Sequence, residues 1–481
     1  MSLREREPLL PTSELGAVHF IAIGGAGMSG IAHMFHALGS RVSGCDQADS
    51  VALQELSAAG VEVSIGHDAA HIDGADTIVV SSAIREDNPE LVAARAAGKR
   101  IWHRSQALAS LMLGHHGVAV AGTHGKTTTT GLLTSMLATS GLDPSYVIGA
   151  PMAATGKSWH LGSGDIFVVE ADESDGSFLQ YPVRTAIVTN VEADHLDNWG
   201  TPQAYAAGFE RFVSSPTLQH VILNLNDAGA RRLAAGLDAN GWSERVYGYA
   251  HPPVTPVAAS LFVDGLRETS TGIQARTHGP HLCPDANLSL KLHGRHNIEN
   301  AAAALLAAQL LGAGQAAALL GASTFGGAER RFQAVGNVSG VAGVRVFDDY
   351  AHHPSEISAT LSAARAVAGE GRVIAAFQPH LYTRTRDFAS QFGAALSAAD
   401  EVVLTDIYAA REDPIPGVTG RLILRAVSAP SHWVPAREDV AAALQQIVKL
   451  GDVVVTLGAG NITQVGPELV ELLRAAGEPS A

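Results

Sequence analysis

The chain has little of what redox enzymes, disulfide-bonded proteins and membrane proteins depend on. It contains two cysteines in 481 residues, Cys45 and Cys283, and their separation matches no metal or redox motif. No apolar segment reaches the length that spans a membrane, and the first residues have no signal-peptide pattern. We therefore expect a cytoplasmic protein that does not insert into membranes.

Positive charge is scarce as well. Lysine and arginine together number 32 against 47 acidic residues, which gives a net charge of −15, and only five residues are lysine. Because such a chain repels nucleic acid and anionic membranes at long range, neither is expected as a partner, and a bound anion needs cationic groups close by. Apolar residues are plentiful, at 46%, and the length predicts about three globular domains.

One of the five lysines stands in a glycine-rich turn. An apolar run at 118–121 is followed by the segment GTHGKT, and a helix-like apolar pattern comes next. Such a loop cradles phosphate oxygens with backbone N–H groups and the helix N-terminus, while Lys126 adds charge and the Thr127 hydroxyl can ligate Mg²⁺. The motif is shorter than the usual phosphate-loop pattern, which has glycine where Val120 stands. We interpret it as a triphosphate cradle.

A second glycine-rich turn lies near the start of the chain. It follows an apolar strand pattern and precedes a helical one, and it carries Gly24, Gly25, Gly27 and Gly30. Asp46 comes about 20 residues later, where a ribose-binding acid stands in Rossmann folds. The pattern predicts a second nucleotide site. The alternative is a tight turn that only allows close helix packing.

Polar residues end the predicted strands of the central segment. Glu170 ends the run IFVVE, and Asn190, Asp194 and His195 follow the run TAIVT. The carboxyl ends of parallel strands meet at one edge, so a carboxylate there would face the phosphate loop and suit Mg²⁺. Glu170 could instead be a solvated strand end. His195, one of 21 histidines, could be an ordinary packing or surface residue.

The composition and the hydropathy pattern of the sequence change after Tyr249. A proline-rich break and alternating polar and apolar residues predict an inserted β ribbon that extends to about Leu292. A strong helix follows, with Asn297 near its start and Asn300 one turn on, where helix capping explains an asparagine as well as ligand binding does. Residues 321–332 are then predicted to form a linker whose arginines, at 330 and 331, either reach phosphates or only add solubility.

The last segment repeats the alternation of strands and helices. Its strands end in polar residues that packing does not explain, and these should gather at one sheet edge: Asp348, Asp349, Tyr350, His352, His353, His380, Arg384 and Arg386. The whole chain is therefore predicted to be α/β, with a Rossmann-like domain over 1–114, a central P-loop-type domain with a parallel sheet and a β insertion over 115–329, and a Rossmann-like C-terminal domain over 330–481.

Together these features suggest phosphoryl transfer to a nucleotide-linked substrate. An ATPase motor would need no nucleotide-binding domain in front, and a dehydrogenase would need no lysine-threonine phosphate loop. Phosphoryl transfer depends on positioning and on charge neutralisation, which cationic loops and metal ions supply. The residues alone do not identify the substrate.

Eight ordered motifs extend the interpretation. They are GGAGMSG, AGTHGKTTTT, EADESDGSF, TNVEADHLDNW, GRHNIENAAAA, DDYAHHPSEI, FQPHLYTRT and REDPIPG. In this order, over nearly the whole chain, they resemble the Mur ligases, in particular the alanine-adding branch. The resemblance implies an ATP- and Mg²⁺-dependent enzyme, monomeric or homodimeric, that joins L-alanine to the carboxylate of UDP-N-acetylmuramate through an acyl phosphate in peptidoglycan synthesis. The alternatives are a recycling ligase that adds a whole peptide to the same sugar, and a non-catalytic nucleotide-binding regulator.

The resemblance also implies a role for each motif residue. It implies that Lys126, His124, Glu170, His195 and His352 are catalytic, and that Thr127 and Glu170 hold one Mg²⁺ while Glu170 and His195 hold a second. ATP would be bound by Gly122, Thr123, His124, Gly125, Lys126, Thr127, Thr128, Asn297, Asn300, Arg331 and Asp348. The UDP sugar would be bound by Gly24, Gly25, Ala26, Gly27, Met28, Ser29, Asp46, Ser82 and Asn190, and the amino acid by Tyr350, His352, His380 and Arg384.

The chain departs from the family pattern at two positions. Later Mur ligases carry a lysine, modified to a carbamate, where this chain has Phe209, and the absence of that lysine is characteristic of the alanine-adding branch. Many relatives have arginine where this chain has Leu381. Arg384 and Arg386 are therefore the better candidates for holding a substrate carboxylate.

Overall fold

A computed structural model describes residues 8–25, 27–251, 259–269, 271–279, 285–338, 343–410 and 412–477. The chain divides into two compact units. The first comprises Met1–Gly265, Ala275–Ser289 and Glu299–Phe325, and the second comprises Leu266–Gln274, Leu290–Ile298 and Gly326–Ala481. Each unit is described by itself.

The first unit begins with a parallel sheet. Its strands are β1 (Val18–Ile21), β2 (Val42–Asp46), β3 (Glu62–Ile65), β4 (Thr77–Val80) and β5 (Arg100–His103), in the order β3-β2-β1-β4-β5. Its helices are α1 (Ser29–Ala37), α2 (Val51–Ala58), α3 (Pro89–Ala96) and α4 (Arg104–Leu111). Strand order reverses beside β1, which places the glycine-rich turn after β1 at the position where such sheets bind ligands.

The central sheet also belongs mainly to the first unit. Its strands are β6 (His116–Ala121), β7 (Ser145–Val147), β8 (Trp159–His160), β9 (Ile166–Glu170), β10 (Val183–Val188), β11 (His220–Asn224), β12 (Val246–Ala250), β13 (Ala259–Thr269), β14 (Gly272–His278) and β15 (Ala286–Leu290). The spatial order is β15-β14-β13-β12-β11-β10-β6-β9-β7-β8. β6 pairs in parallel with both β9 and β10, so the phosphate loop lies between the ends of these two strands.

The helices of this segment include one that the sequence did not predict. They are α5 (Lys126–Thr139), α6 (Leu196–Trp199), α7 (Pro202–Val213), α8 (Ala228–Ala239), α9 (Arg295–Leu310) and α10 (Gln315–Thr324). The prediction of a linker from residue 321 is wrong for its first four residues, which complete α10. Gly321 lets α10 approach α5, because a Cβ there would lie 2.7 Å from the Cα of Met136. Of the predicted ribbon, β14 and β15 are confirmed, and residues 252–258 of the proline-rich break lie outside the described residues.

Helix starts follow ordinary capping chemistry. Ser50, Thr201 and Asp227 each accept a hydrogen bond from a backbone N–H in the first turn of the helix that follows. Proline is the first residue of α3, of α7 and of α11 (Pro354–Ala368) in the C-terminal segment, where its missing N–H costs no helical hydrogen bond. Local sequence therefore fixes where these helices begin.

The third sheet belongs to the second unit. Its strands are β16 (Gln333–Val338), β17 (Val344–Asp349), β18 (Val373–Phe377), β19 (Glu401–Leu404), β20 (Ser431–Trp433) and β21 (Val453–Leu457), in the order β16-β17-β21-β18-β19-β20. Only the β16–β17 pair is antiparallel among these described strands. The helices are α11 (Pro354–Ala368), α12 (Tyr382–Leu396), α13 (Arg421–Leu424), α14 (Val440–Ile447) and α15 (Val465–Gly477).

The two sheets of the first unit share one hydrophobic core. Buried side chains of the first sheet, such as Phe20, and of the central sheet, such as Phe167, belong to a single cluster. Trp159 on β8 stacks on His33 of α1 with ring centroids 4.8 Å apart. Gly30 makes room for that indole, since a Cβ there would lie 3.1 Å from it. The first two segments therefore form one packed body.

None of the described helices is both long enough and apolar enough to cross a bilayer.

Candidate active site

The phosphate loop connects β6 to α5 in a conformation that requires glycine. Gly125 stands at the N-cap of α5 with φ +83°, and Gly122 has φ +135°. A Cβ on Gly125 would lie 2.5 Å from Asn300 Oδ1, and one on Gly122 would lie 2.0 Å from Thr189 Oγ1. Side chains at these two positions would therefore push the loop away from its supports. Asn300, predicted to contact ATP, lies directly beside the loop.

Lys126 forms a buried ion pair that the sequence did not predict. Its Nζ lies 2.7 Å from Glu173 Oε2 and donates to the carbonyl oxygens of Gly122 and Thr123, at 2.7 and 3.1 Å. Glu173 is fully buried, and burial raises its pKa against the opposing attraction of Lys126. Burial lowers the pKa of Lys126, but the Glu173 carboxylate outweighs this and raises it above its usual value, so the ammonium stays charged.

Oxygen ligands converge on the first turn of α5. Thr127 Oγ1 donates to Glu170 Oε1 at 3.1 Å, and the N–H of Gly149 donates to Glu170 Oε2 at 2.7 Å. His195, with φ +51°, has its Nε2 3.8 Å from Glu173 Oε1 and 3.6 Å from Asp194 Oδ2. A hydroxyl beside a fixed carboxylate is the oxygen donor set that Mg²⁺ favours, and an imidazole is a less typical ligand for it.

Hydrogen bonds from the segment after β10 hold the phosphate loop in place. Asn190 Oδ1 accepts the His124 N–H at 2.8 Å, and its Nδ2 donates to the His124 carbonyl at 3.1 Å. Thr123 Oγ1 donates to the Glu192 carbonyl at 2.9 Å, and the His124 ring lies 3.3 Å from the Glu192 carboxylate. The structure thus places Asn190 at the phosphate loop, where its amide orients the backbone. Its predicted contact with the UDP sugar stays a prediction.

The N-terminal glycine turn is fixed by Asp46. One carboxylate oxygen accepts the Gly24 N–H at 3.0 Å and the other accepts the Gln47 N–H at 2.7 Å. Met28 is the N-cap residue of α1 and Ser29 is its first residue. Ala26 lies outside the described residues. Asp46 therefore holds the backbone of the turn, and its predicted contact with a ribose stays a prediction.

Arg104 connects this turn to the central segment. Its Nη2 donates to Asp172 Oδ2 at 2.7 Å, and a Cβ on Gly27 would lie 3.0 Å from its Nη1. Asp172 lies between Glu170 and Glu173, so the turn and the phosphate loop are neighbours in the first unit. Arg104 follows β5 directly, and the strand-end rule that identified Glu170 would have identified it too.

Ser82 lies at the same junction of the two segments. Its hydroxyl donates to Asp175 Oδ2 at 2.5 Å and lies 3.0 Å from the His103 Nε2. His103 in turn contacts Ser105 through Nδ1 at 2.8 Å. Ser82 therefore belongs to a polar network that joins the end of β4 to the loop after β9.

A second polar cluster lies at the strand ends of the second unit. Both oxygens of Asp348 are bonded: Thr456 donates to Oδ1 at 2.6 Å, and Thr463 and Arg330 donate to Oδ2 at 2.7 and 3.2 Å. The guanidinium groups of Arg330 and Arg331 lie 4.8 and 5.3 Å from the Tyr350 ring centroid. Arg330, which the sequence did not single out from its neighbour, is thus the arginine that fixes Asp348.

The residues predicted to bind the amino acid also lie in this unit. The ring centroids of Tyr350 and His352 are 5.2 Å apart, and those of His352 and His380 are 6.0 Å apart. The His352 Nδ1 donates to the Tyr350 carbonyl at 3.0 Å, so the neutral ring carries its lone pair on Nε2. Arg384 is buried in the first turn of α12. Asn297, in the first turn of α9, donates through Nδ2 to the His293 carbonyl at 2.7 Å.

The chain matches known proteins over nearly its whole length. Family models describe the Mur ligase family catalytic domain, the Mur ligase middle domain and the Mur ligase glutamate ligase domain, and they match residues 17–116, 120–308 and 330–460. The chain is 56% identical over 478 residues to the UDP-N-acetylmuramate–L-alanine ligase of Cutibacterium acnes, covering 98% of this chain and 99% of the relative. It is 48% identical to the protein of that name from Kineococcus radiotolerans, covering 96% and 97% of the two chains.

Solved structures agree as well. A UDP-N-acetylmuramate-alanine ligase from Thermotoga maritima superposes with a TM-score of 0.79 at 26% identity, covering 96% of this chain and 99% of that one. A murein peptide ligase from Psychrobacter arcticus superposes with a TM-score of 0.71 at 25% identity, covering 95% and 99%. These matches confirm the predicted three-domain α/β fold. The chain belongs to the Mur ligase family.

Proposed function

We propose that this protein is an ATP-dependent ligase that joins L-alanine to the carboxylate of UDP-N-acetylmuramate in peptidoglycan precursor synthesis. The observation that carries the proposal is the 56% identity, over 98% of the chain, to a protein with that name. The geometry supports it, since Lys126 pairs with Glu173 and Thr127 with Glu170 at the phosphate loop, and Arg104, beside the second glycine turn, pairs with Asp172 in the same segment after β9.

Each segment has its own task in the proposal. Residues 1–114 bind the UDP sugar through the glycine turn, residues 115–329 bind ATP at the phosphate loop, and residues 330–481 bind the amino acid through Tyr350, His352, His380 and Arg384. Thr127, Glu170 and His195 are the residues that would hold Mg²⁺, whose charge neutralises the phosphate oxygens. Asn297, Asn300, Arg331 and Asp348 are the further residues that we expect to contact ATP.

The reaction has two steps. An oxygen of the muramoyl carboxylate attacks the γ-phosphorus, the bond to the bridging oxygen breaks, and ADP leaves behind an acyl phosphate. The free amine of alanine then attacks the carbonyl carbon, and the carbon–oxygen bond breaks to release phosphate and leave an amide. Lys126 neutralises charge in the first step, and the Nε2 of His352 is suited to accept a proton from the amine in the second.

An acceptor series tests the proposal. With ATP, Mg²⁺ and UDP-N-acetylmuramate, we expect phosphate release to be fastest with L-alanine and slower with glycine or L-serine. Phosphate release with a tripeptide alone would instead identify a recycling ligase, and no release with any acceptor would identify a regulator.

Phe209, fully buried against Phe178 and Tyr205, occupies the position of the lysine that later branches carry.

A second prediction concerns Arg104. We expect Arg104→Ala to raise the KM for the UDP sugar by about 10- to 100-fold, because it removes the hydrogen bond to Asp172 that holds the glycine turn against the central segment, and a hydrogen bond to a charged group contributes roughly 1.5–3 kcal/mol. Arg95→Ala is the matched control, since Arg95 is 49% exposed and pairs with the exposed Glu86. Steady-state kinetics with the UDP sugar as the varied substrate measures both. An unchanged KM for Arg104→Ala would remove Arg104 from the sugar site.

A further inference from the structure

A cluster of potential metal ligands lies in the first sheet, away from the phosphate loop. His19 on β1, Cys45 on β2 and Glu90 on α3 are all buried, and one ligand atom from each lies within 4.8 Å of the others. Cys45 Sγ lies 3.0 and 2.9 Å from the two Glu90 oxygens, and the His19 Nε2 lies 3.0 Å from Oε2. The ligase reaction uses none of these three side chains.

A second histidine completes a set of four donors. The His67 Nδ1 lies 3.2 Å from Cys45 Sγ and 3.2 Å from Glu90 Oε1. The His71 Nδ1 also lies 3.2 Å from Glu90 Oε1, but it accepts the Asp68 N–H at 3.3 Å. Two imidazoles, one thiol and one carboxylate are the donor types that bind zinc.

The ligand atoms have nearly the spacing that a tetrahedral site needs. Bond lengths of about 2.0–2.3 Å around zinc put neighbouring ligand atoms roughly 3.3–3.7 Å apart. The pairs that involve Glu90, and the pair of Cys45 with His67, are 2.9–3.2 Å apart and need to separate by only a few tenths of an ångström. Only His19, Cys45 and Glu90 offer ligand atoms that all lie within 4.8 Å of one another, so His67 has to approach His19 to complete a tetrahedron.

Outer contacts orient the first histidine as they do in metal sites. The His19 Nδ1 lies 2.9 Å from the Ser43 hydroxyl, which aims Nε2 into the cluster. His19 and Ser43 also line a cavity of about 230 Å³ together with His71. The cluster therefore has one oriented ligand and borders this cavity at His19.

Electrostatics describe the state of the cluster without a metal ion. Burial alone would raise the pKa of Glu90, but hydrogen bonds from His19 and Cys45 lower it to about 2, so the carboxylate is charged. Burial and the Glu90 carboxylate raise the pKa of the Cys45 thiol, which keeps its proton. A divalent ion would replace that proton and form a metal–sulfur bond, with one proton released to solvent.

We propose that His19, Cys45, His67 and Glu90 form a binding site for zinc or a chemically similar divalent transition ion, distinct from the Mg²⁺ site at the phosphate loop. The site joins β1, β2, the loop after β3 and α3. An ion there would cross-link the outer part of the first sheet. Its role is structural, since metal sites with four protein ligands leave no open position for a substrate.

Metal retention tests the proposal directly. The full-length, untagged protein is incubated with ZnSO₄ in excess Mg²⁺ and freed of unbound ions by gel filtration, and zinc is measured by atomic emission. We expect one zinc per chain for the unmodified protein and for the controls Cys283→Ser and His160→Gln, which remove the other cysteine and an exposed histidine. Cys45→Ser should retain almost none, and Ser43→Ala should bind about 10- to 100-fold more weakly.

Cobalt supplies a readout that the Mg²⁺ site cannot imitate. Co²⁺ bound to a thiolate absorbs by charge transfer in the near ultraviolet, so this band should appear in the Cys283→Ser variant and be absent from Cys45→Ser. Circular dichroism verifies that both variants are folded, and His67→Gln, at a partly exposed position, provides a second ligand variant. Zinc should also raise the melting temperature of Cys283→Ser and not that of Cys45→Ser.

Two results would overturn the proposal. One is the absence of retained zinc and of the cobalt band in the unmodified protein, and the other is equal zinc retention by the unmodified protein and Cys45→Ser. In either case the cluster is a buried hydrogen-bond network around Glu90. Neither result bears on the ligase reaction, because none of the four residues is among those proposed to bind a substrate, ATP or Mg²⁺.

Discussion

Replacing Lys126 with alanine is expected to lower kcat for phosphate release by at least about 10²–10³-fold, the usual loss when one preorganised charge-stabilising group is removed. Lys126 is the only lysine at the loop between β6 and α5, and its ammonium is held there by Glu173 and two carbonyl oxygens. When ATP enters, the same charge is available to the phosphate oxygens. Steady-state kinetics with L-alanine as acceptor measures the loss.

The control separates lost chemistry from lost folding. Lys157→Ala removes a lysine that lies 5.3 Å from the Trp159 ring centroid and should leave kcat unchanged. Calorimetric titration should show that Lys126→Ala still binds UDP-N-acetylmuramate, since the glycine turn after β1 is intact. A kcat close to that of the unmodified enzyme would show that Lys126 does not act on the phosphates.

The largest effect on stability is expected at Glu173. Glu173→Ala should lower the free energy of unfolding by about 3–5 kcal/mol, because it leaves the mostly buried Lys126 ammonium without its partner. Glu192→Ala is the matched control, since that carboxylate is 48% exposed and its pairing with His124 should be worth less than about 1 kcal/mol. Chemical denaturation followed by circular dichroism measures both variants.

A double-mutant cycle shows whether the loss arises from the pair. Lys126→Met combined with Glu173→Leu should be more stable than Glu173→Leu alone, because replacing both members of a buried ion pair by apolar groups removes the uncompensated charge. The double variant should nevertheless have no ligase activity. If the free energy of unfolding of Glu173→Ala lies within about 1 kcal/mol of that of the unmodified protein, the ion pair is solvated and does not stabilise the fold.

Strand-end residues were the part of the site that the sequence could predict. Glu170 and the loop around Lys126 follow directly from apolar runs that end in polar residues, and both lie where that pattern indicates. Glu173 could not be recognised, because only the folded loop shows that its carboxylate is buried against Lys126 and not solvated. Residues 321–324 misled the prediction, since a glycine that permits close packing of two helices looks like a linker residue.

The cluster around Glu90 could not be predicted from the sequence either. Its ligands lie at positions 19, 45, 67 and 90, with no short spacing that a metal motif would have. The parallel pairing of β1 with β2 and of β2 with β3 brings the first three segments side by side, and α3 adds the fourth. The spacing of these four residues along the chain does not reveal the cluster, because they come together only through the order of the strands in the sheet.

The core shared by the first two sheets has a consequence for recombination. Because Trp159 packs on Gly30 and His33, and Arg104 pairs with Asp172, the two segments must remain matched to each other during divergence. In a chimera that takes residues 1–114 from a distant homologue, each of these contacts would join one residue of the homologue to one residue of this chain. The first two segments should therefore be exchanged together, as one block.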